Sequence, residues 1–72
     1  MEVKILNSTQ ETVITCQEVF LNYKEGYISF DFIDDDTARL NEEFIKKMSG
    51  KTLHNNNTIT ITNLSDFNFS FK

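Results

Sequence analysis

Only one stretch of this chain repeats with a helical period: Asp34–Gly50, Asp-Asp-Asp-Thr-Ala-Arg-Leu-Asn-Glu-Glu-Phe-Ile-Lys-Lys-Met-Ser-Gly. At about 100° per residue, Ala38, Leu40, Phe44, Ile45 and Met48 fall on one side, and Arg39, Glu42, Glu43, Lys46 and Lys47 on the other. Glu42 and Lys46 form an (i, i+4) pair with the acid first, as do Glu43 and Lys47, which is the better order. Acids gather at the start and lysines at the end, where the helix dipole favours them. Asp36 or Thr37 is the expected N-terminal cap, and Gly50 the expected left-handed residue at the C-terminus. The segment is therefore an amphipathic helix, and the rest of the chain must supply the surface that buries it. The expected contact ridge is Leu40–Phe44–Met48. An extended segment, or that ridge facing water, would contradict the architecture and the docking edge proposed with it.

The remaining residues alternate with the period of strands. Val3–Leu6 is followed by the turn cluster Asn7–Gln10. The next run, from Glu11 to about Asn22, alternates imperfectly: Ile14 and Cys16 share one parity, Val19 and Leu21 the other. A bulge near Gln17–Glu18, or a bend into two short strands, reconciles them. Tyr23–Gly26 is the next turn, with Gly26 suited to positive φ. A four-residue loop there pairs Leu21 with Ile28 and Val19 with Phe30, whereas a three-residue loop pairs Phe20 with Phe30 but sets Asn22 against Ile28; the four-residue loop is preferred. In Tyr27–Ile33, Ile28, Phe30 and Phe32 point one way. Lys51–His54 is the weakest strand. After Asn55–Asn57, a turn type that tolerates left-handed backbone, Ile59 and Ile61 point inward and Thr58, Thr60 and Thr62 outward. Phe67, Phe69 and Phe71 share a face of the last strand. The expectation is a single α+β domain over residues 1–72. Its order is β-β-β-α-β-β-β, a small antiparallel sheet with the helix packed on one face.

Composition narrows the function. A 72-residue chain buries only about 60% of its unfolded surface. Its single cysteine, Cys16, forms no intrachain disulfide and fits a reducing compartment as a small buried hydrophobe. No apolar run approaches the roughly 18 residues of a membrane span, and Met1–Asn7 lacks the pattern of a signal peptide. The expected location is cytoplasmic. On that basis the Asn-x-Ser/Thr triplets at Asn7, Asn56, Asn63 and Asn68 are accidents of composition. The net charge of −4 repels phosphate backbones, so direct nucleic-acid binding is not expected; a partner protein with a basic surface is. Proline is absent, arginine occurs once, and Asn, Ile, Phe and Lys are frequent. These are the marks of AT-rich codons, which point to a low-GC bacterium or one of its phages.

Asp31, Asp34, Asp35, Asp36, Glu42 and Glu43 place six carboxylates within thirteen residues. They read as a metal site, as a docking patch for a basic surface, or as helix N-terminal charge on a solvated edge. The glycine and register of a calcium-binding loop are missing, so no metal ligand is assigned. Tyr23 and Tyr27 flank one turn as a possible exposed aromatic pair. His54 beside its polar turn is expected at the surface. The phenylalanines of the last strand read as core, since only Lys72 would support a stacking platform. No nucleophile motif or glycine-rich phosphate loop is present, and a chain this short is expected to enclose no substrate pocket. No catalytic residue and no cofactor are expected.

The leading expectation is thus a small acidic, non-enzymatic protein-binding module. It fits a phage or mobile-element inhibitor that occludes a host defence protein. Its contact residues would be Asp34, Asp35, Asp36, Glu42 and Glu43, with Tyr23 and Tyr27 second. The alternative is an assembly subunit forming a homo-oligomer through exposed strands such as Thr58–Thr62.

Overall fold

A computed structural model describes all of residues 1–72. The elements are β1 (Glu2–Leu6), β2 (Glu11–Thr15), β3 (Glu18–Asn22), β4 (Tyr27–Asp31), α1 (Asp35–Met48), β5 (Thr52–Asn55), β6 (Thr58–Ile61) and β7 (Asn68–Phe71), with a 3-10 turn at Leu64–Asp66. The α+β class is as expected, and the weak strand after the helix is present as β5. The strands form two antiparallel sheets rather than one, ordered β2-β1-β7 and β3-β4-β6-β5.

The imperfect alternation between Glu11 and Asn22 is resolved by a bend. The amide of Cys16 donates to Met1 O (2.9 Å), extending the β1–β2 ladder, while the amide of Gln17 donates to Asp31 O (2.8 Å), opening the β3–β4 ladder. The chain changes sheet at that single peptide, and so the parity of its buried side chains switches there. Downstream, Leu21 pairs with Ile28 and Val19 with Phe30, the four-residue loop register. Gly26 has φ +76° and Asn56 φ 55°, both where a turn needs left-handed backbone.

The four-stranded sheet presents Ile28, Phe30, Ile59 and Ile61 to the interior, all fully buried. They meet Val3, Ile5 and Ile14 of the three-stranded sheet, Cys16 from the bend, and Ala38 and Ile45 of the helix in one cluster. Each such Ile or Phe contributes about 1.5–3 kcal/mol. Rings of Phe30 on β4 and Phe69 on β7, 6.3 Å apart, join the sheets. Burial declines along the final segment: Phe67 is buried, Phe69 half-buried and Phe71 44% exposed. A clamp closes the end of β4, where Phe32 N donates to Asn57 O and Asn57 Nδ2 returns to Phe32 O, both at 2.8 Å. Ile33, expected in the strand, lies beyond it and is exposed.

Three expectations about the helix are corrected. Asp34, not Asp36 or Thr37, is the cap: its Oδ1 accepts from Thr37 N at 2.7 Å, the reach of an N-cap carboxylate to the third helical amide. Gly50 does not close the helix in left-handed backbone. Ser49 ends it in extended backbone (φ −136°), and this buried serine donates its Oγ to Asn63 Oδ1 at 2.7 Å. Lastly, Leu40–Phe44–Met48 is not the buried ridge. Leu40 is 71% and Phe44 55% exposed. The stripe facing the core is Ala38, Asn41, Glu42, Ile45 and half-buried Met48, turned by roughly a quarter of a helical turn from the expected ridge. The helix still packs on β5, β6 and β2 through this second stripe, but the docking edge expected to accompany a buried Leu40–Phe44–Met48 ridge loses that support. The stripe is apolar enough at Ala38, Ile45 and Met48, and its polar members are bonded: Asn41 Nδ2 donates to Thr37 O at 2.8 Å.

The strand-edge assembly expectation is corrected at its named strand. β6 is paired on both sides, by β4 and by β5, so Thr58–Thr62 offers no open edge. Thr58 and Thr60 face outward, but their hydroxyls are engaged, with Asp31 Oδ1 (2.6 Å) and Ser29 Oγ (2.8 Å).

Candidate contact surface

The fold separates the six clustered carboxylates. Asp31 lies on the outer face of the four-stranded sheet, accepting from Thr58. Asp34 is committed to its cap, and the hydrogen bond from the Thr37 amide holds its carboxyl below the ordinary aspartate value. Asp35 and Asp36 are exposed on the first turn; Asp36 meets Arg39 at 3.3 Å in a solvated pair, worth little to stability. Glu43 is exposed. Glu42 turns inward instead. Its carboxylate lies 3.4 Å from Lys46 Nζ and 3.3 Å from His54 Nδ1.

That contact also relocates His54. Rather than sitting at the surface, its ring is only 20% exposed and bridges two elements. Nε2 is 2.7 Å from the carbonyl oxygen of Asn56. A carbonyl only accepts, so Nε2 carries a proton and donates. Both ring nitrogens face acceptors, so His54 bonds Glu42 through Nδ1, and ties the hairpin of β5 and β6 to α1, only in the form that carries a proton on each nitrogen. The other expected helix pair, Glu43 with Lys47, does not form; Lys47 Nζ lies 5.7 Å from the centre of the Phe44 ring, a cation–π distance.

The two tyrosines are not an aromatic pair. Tyr23 is 80% exposed. Tyr27 is half-buried and stacks on Phe20, with centroids 5.9 Å apart. By strand parity Tyr27 points away from α1, on the sheet face that also carries Phe20, Ser29, Thr60 and Leu53. The expected contact residues thus divide between two surfaces, with Asp34, Asp35, Asp36 and Glu43 on one and Tyr27 on the other. Phe20 and Leu53, 59% and 61% exposed, and the exposed pair Leu40 and Phe44 are surface residues that sequence reasoning placed in the core or passed over. For Phe20, its parity opposite to Val19 and Leu21 was the available signal.

Two clefts have volumes usual for small-molecule sites, against the expectation for so short a chain. One, of about 470 Å³, lies between the turn after β3 and β7, lined by Leu21, Tyr23, Phe67, Phe69 and Phe71 among others. The second, of about 580 Å³, runs between β2 and the start of α1, past Met1, Val13, Ile33, Thr37 and Asn41. Neither is lined by a histidine or a carboxylate. Cys16 borders the second, and burial pushes its thiol above the ordinary value, which disfavours the reactive thiolate. No group of three or more His, Cys, Asp or Glu side chains is placed to hold a metal ion. No helix is long and apolar enough to cross a membrane.

No family model, no curated protein and no solved structure matches the chain.

Proposed function

We infer that this protein is a small acidic binding module that acts without catalysis, by occupying the surface of another protein. The observation that carries the reading is the outward side of α1. Leu40 and Phe44, two large apolar side chains, are left 71% and 55% exposed on a side of the helix that also carries the exposed acids Asp36 and Glu43 and the exposed bases Arg39 and Lys47. Exposed apolar area rimmed by polar and charged residues is characteristic of a protein contact surface. The apolar pair would supply contact area and the acids would steer a basic partner. Asp34 and Glu42 support the surface from below, one capping the helix and the other tying it to His54. Occlusion of a basic surface suits an inhibitor, and the AT-rich codon bias is consistent with a phage or mobile-element origin acting on a host protein.

The test is affinity capture from a low-GC bacterial lysate, comparing wild type with the Asp35→Lys/Asp36→Lys/Glu43→Lys variant and eluting with salt. Asp34 is left intact to preserve the cap. The reading expects a specific basic protein, released as salt rises and not retained by the variant. Equal retention by the variant would refute it.

A further inference from the structure

β2 is an outer strand of the three-stranded sheet, and its outer edge is unpaired. Met1 and Cys16 exchange both backbone bonds: Cys16 N donates to Met1 O at 2.9 Å, and the Met1 amino group donates to Cys16 O at 2.8 Å. At the other end Asn7 N donates to Gln10 O at 3.0 Å. Val3 lies opposite Ile14 and Ile5 opposite Thr12. Hydrogen-bonded pairs alternate along an antiparallel ladder, so Gln10, Thr12, Ile14 and Cys16 turn their N–H and C=O groups to β1. Glu11, Val13 and Thr15 turn theirs to the open side. No turn or other segment bonds those groups, and all three residues are exposed. A proline, a lysine or a bulge commonly blunts such an edge; Glu11–Thr15 has none of them.

Alongside this edge runs α1. Thr37, Asn41, Phe44 and Met48 recur at three- and four-residue spacing and form one stripe of the helix. Thr37 and Asn41 share the cavity of about 580 Å³ with Met1, Val13, Thr15 and Ile33. Phe44 and Met48 share another, of about 270 Å³, with Glu11 and Thr12. The two cavities are the ends of one groove, walled by a strand edge on one side and a helix on the other. Met1, Val13, Ile33 and Phe44, all large apolar side chains that the fold leaves exposed, border it. The other strands under α1 differ. β6 is paired on both sides, and the cavity at β5 is polar, bordered by Asp35, Arg39 and His54. β2 alone joins an open edge to an apolar groove beside the helix.

We propose that this groove binds an extended segment of a partner protein, which adds to the sheet as a strand beside β2. The unpaired groups specify the occupant. A row of N–H and C=O groups at strand spacing is satisfied by an extended backbone, not by a helix, whose own groups are already bonded. In an added strand alternate side chains point to opposite faces. One set meets the stripe of α1 and the other lies beside Val13 and Thr15. The fit is a segment of about five residues with apolar side chains at alternate positions. Charge sets its flank: Ile33 leads into exposed Asp34, Asp35 and Asp36, which favours a basic residue at that end. A second copy suits the groove less well. Its β2 carries its own α1 along the same edge, so two-fold pairing brings both helices against one groove. The proposal rests on the outward side of α1 being a contact surface, since Phe44 belongs to both, and it names the form that the partner presents there.

The probe is a displayed library of random peptides of about nine residues, selected against the purified protein. The enriched sequence is synthesised with blocked ends and titrated in while backbone amide exchange is followed by NMR. Enrichment of alternating apolar residues is expected, and exchange at Glu11, Val13 and Thr15 is expected to slow at least about tenfold at saturation. Val13→Pro removes the central outward N–H and spares the bonds to β1, which Val13 does not make. It is expected to weaken the peptide at least about tenfold. Phe44→Gln is expected to weaken it through the opposite wall, and Phe20→Gln, on the other sheet, to leave it unchanged. Circular dichroism checks each fold; should Val13→Pro unfold, exchange mapping on wild type and the Phe44→Gln comparison decide. Four results would overturn the proposal: no enriched peptide, exchange slowed instead at another edge such as Phe69 and Phe71, undiminished binding by folded Val13→Pro or by Phe44→Gln, or wild type dimerising through β2 without peptide. Lysate capture fails separately. A basic partner retained equally by wild type and by Val13→Pro leaves the contact surface standing and removes the added strand.

Discussion

The two sides of α1 invert the usual arrangement of an amphipathic helix. The inward side is seated by a small residue, Ala38, by Ile45 and by half-buried Met48, with Asn41 and Glu42 bonded between them. Facing outward are Leu40 and Phe44, a Leu and the only aromatic of the helix, both more than half exposed. Burying Leu and Phe would return about 1.5–3 kcal/mol each, so a fold selected only for stability would turn them in. The difference teaches that hydrophobic size alone did not orient this helix. Ala38 and Ile45 are fully buried on the inward side, and Glu42 contacts His54 there.

The comparison can be broken most forcefully at Ile45. Ile45→Ala should cost about 2–5 kcal/mol in a urea unfolding series, because the fully buried side chain leaves a cavity between α1 and the sheets. Next in size is the tie. Glu42→Ala should cost about 0.5–1.5 kcal/mol by removing the carboxylate's contacts with His54 Nδ1 and Lys46 Nζ. Glu43→Ala, one residue on, should stay within about 0.5 kcal/mol. A double-mutant cycle of Glu42→Ala with His54→Ala should show non-additive costs. Smaller still, and dependent on pH, is the cap. The Asp34 carboxyl sits below its ordinary value because Thr37 N donates to it. Its stabilisation is therefore full above the ordinary aspartate range and lost as the pH falls through the lowered folded value, below about pH 4. Wild type should unfold at higher urea than Asp34→Ala at neutral pH, and the gap should close in acid.

Much of the fold was legible because its signals are local. The helix announced itself by period, the hairpin of β3 and β4 by a register that matched Leu21 with Ile28, and the turns by Gly26 and Asn56. The split of one strand into two sheets was half legible: the parity break at Gln17 was visible, but not that each half would join a different sheet, which depends on Met1 and Asp31 supplying the two carbonyls. The rotation of α1 was not legible. Summed hydrophobicity favours Leu40 and Phe44, whereas the inward stripe includes Glu42, whose contact with His54, twelve residues away, is not a local signal. The proposed contact surface shared that fate. Asp35, Asp36 and Glu43 were readable as exposed acids, while Leu40 and Phe44, the apolar half of the surface, were hidden inside an expected core.

The smallest effect is the most direct test. At low micromolar concentration the Leu40→Gln/Phe44→Gln double variant should unfold at the same urea midpoint as wild type within about 0.5 kcal/mol; glutamine keeps helix propensity close to that of leucine. A loss comparable to that of Ile45→Ala would mean that Leu40 and Phe44 hold the helix in place, and the outward face described here would not exist.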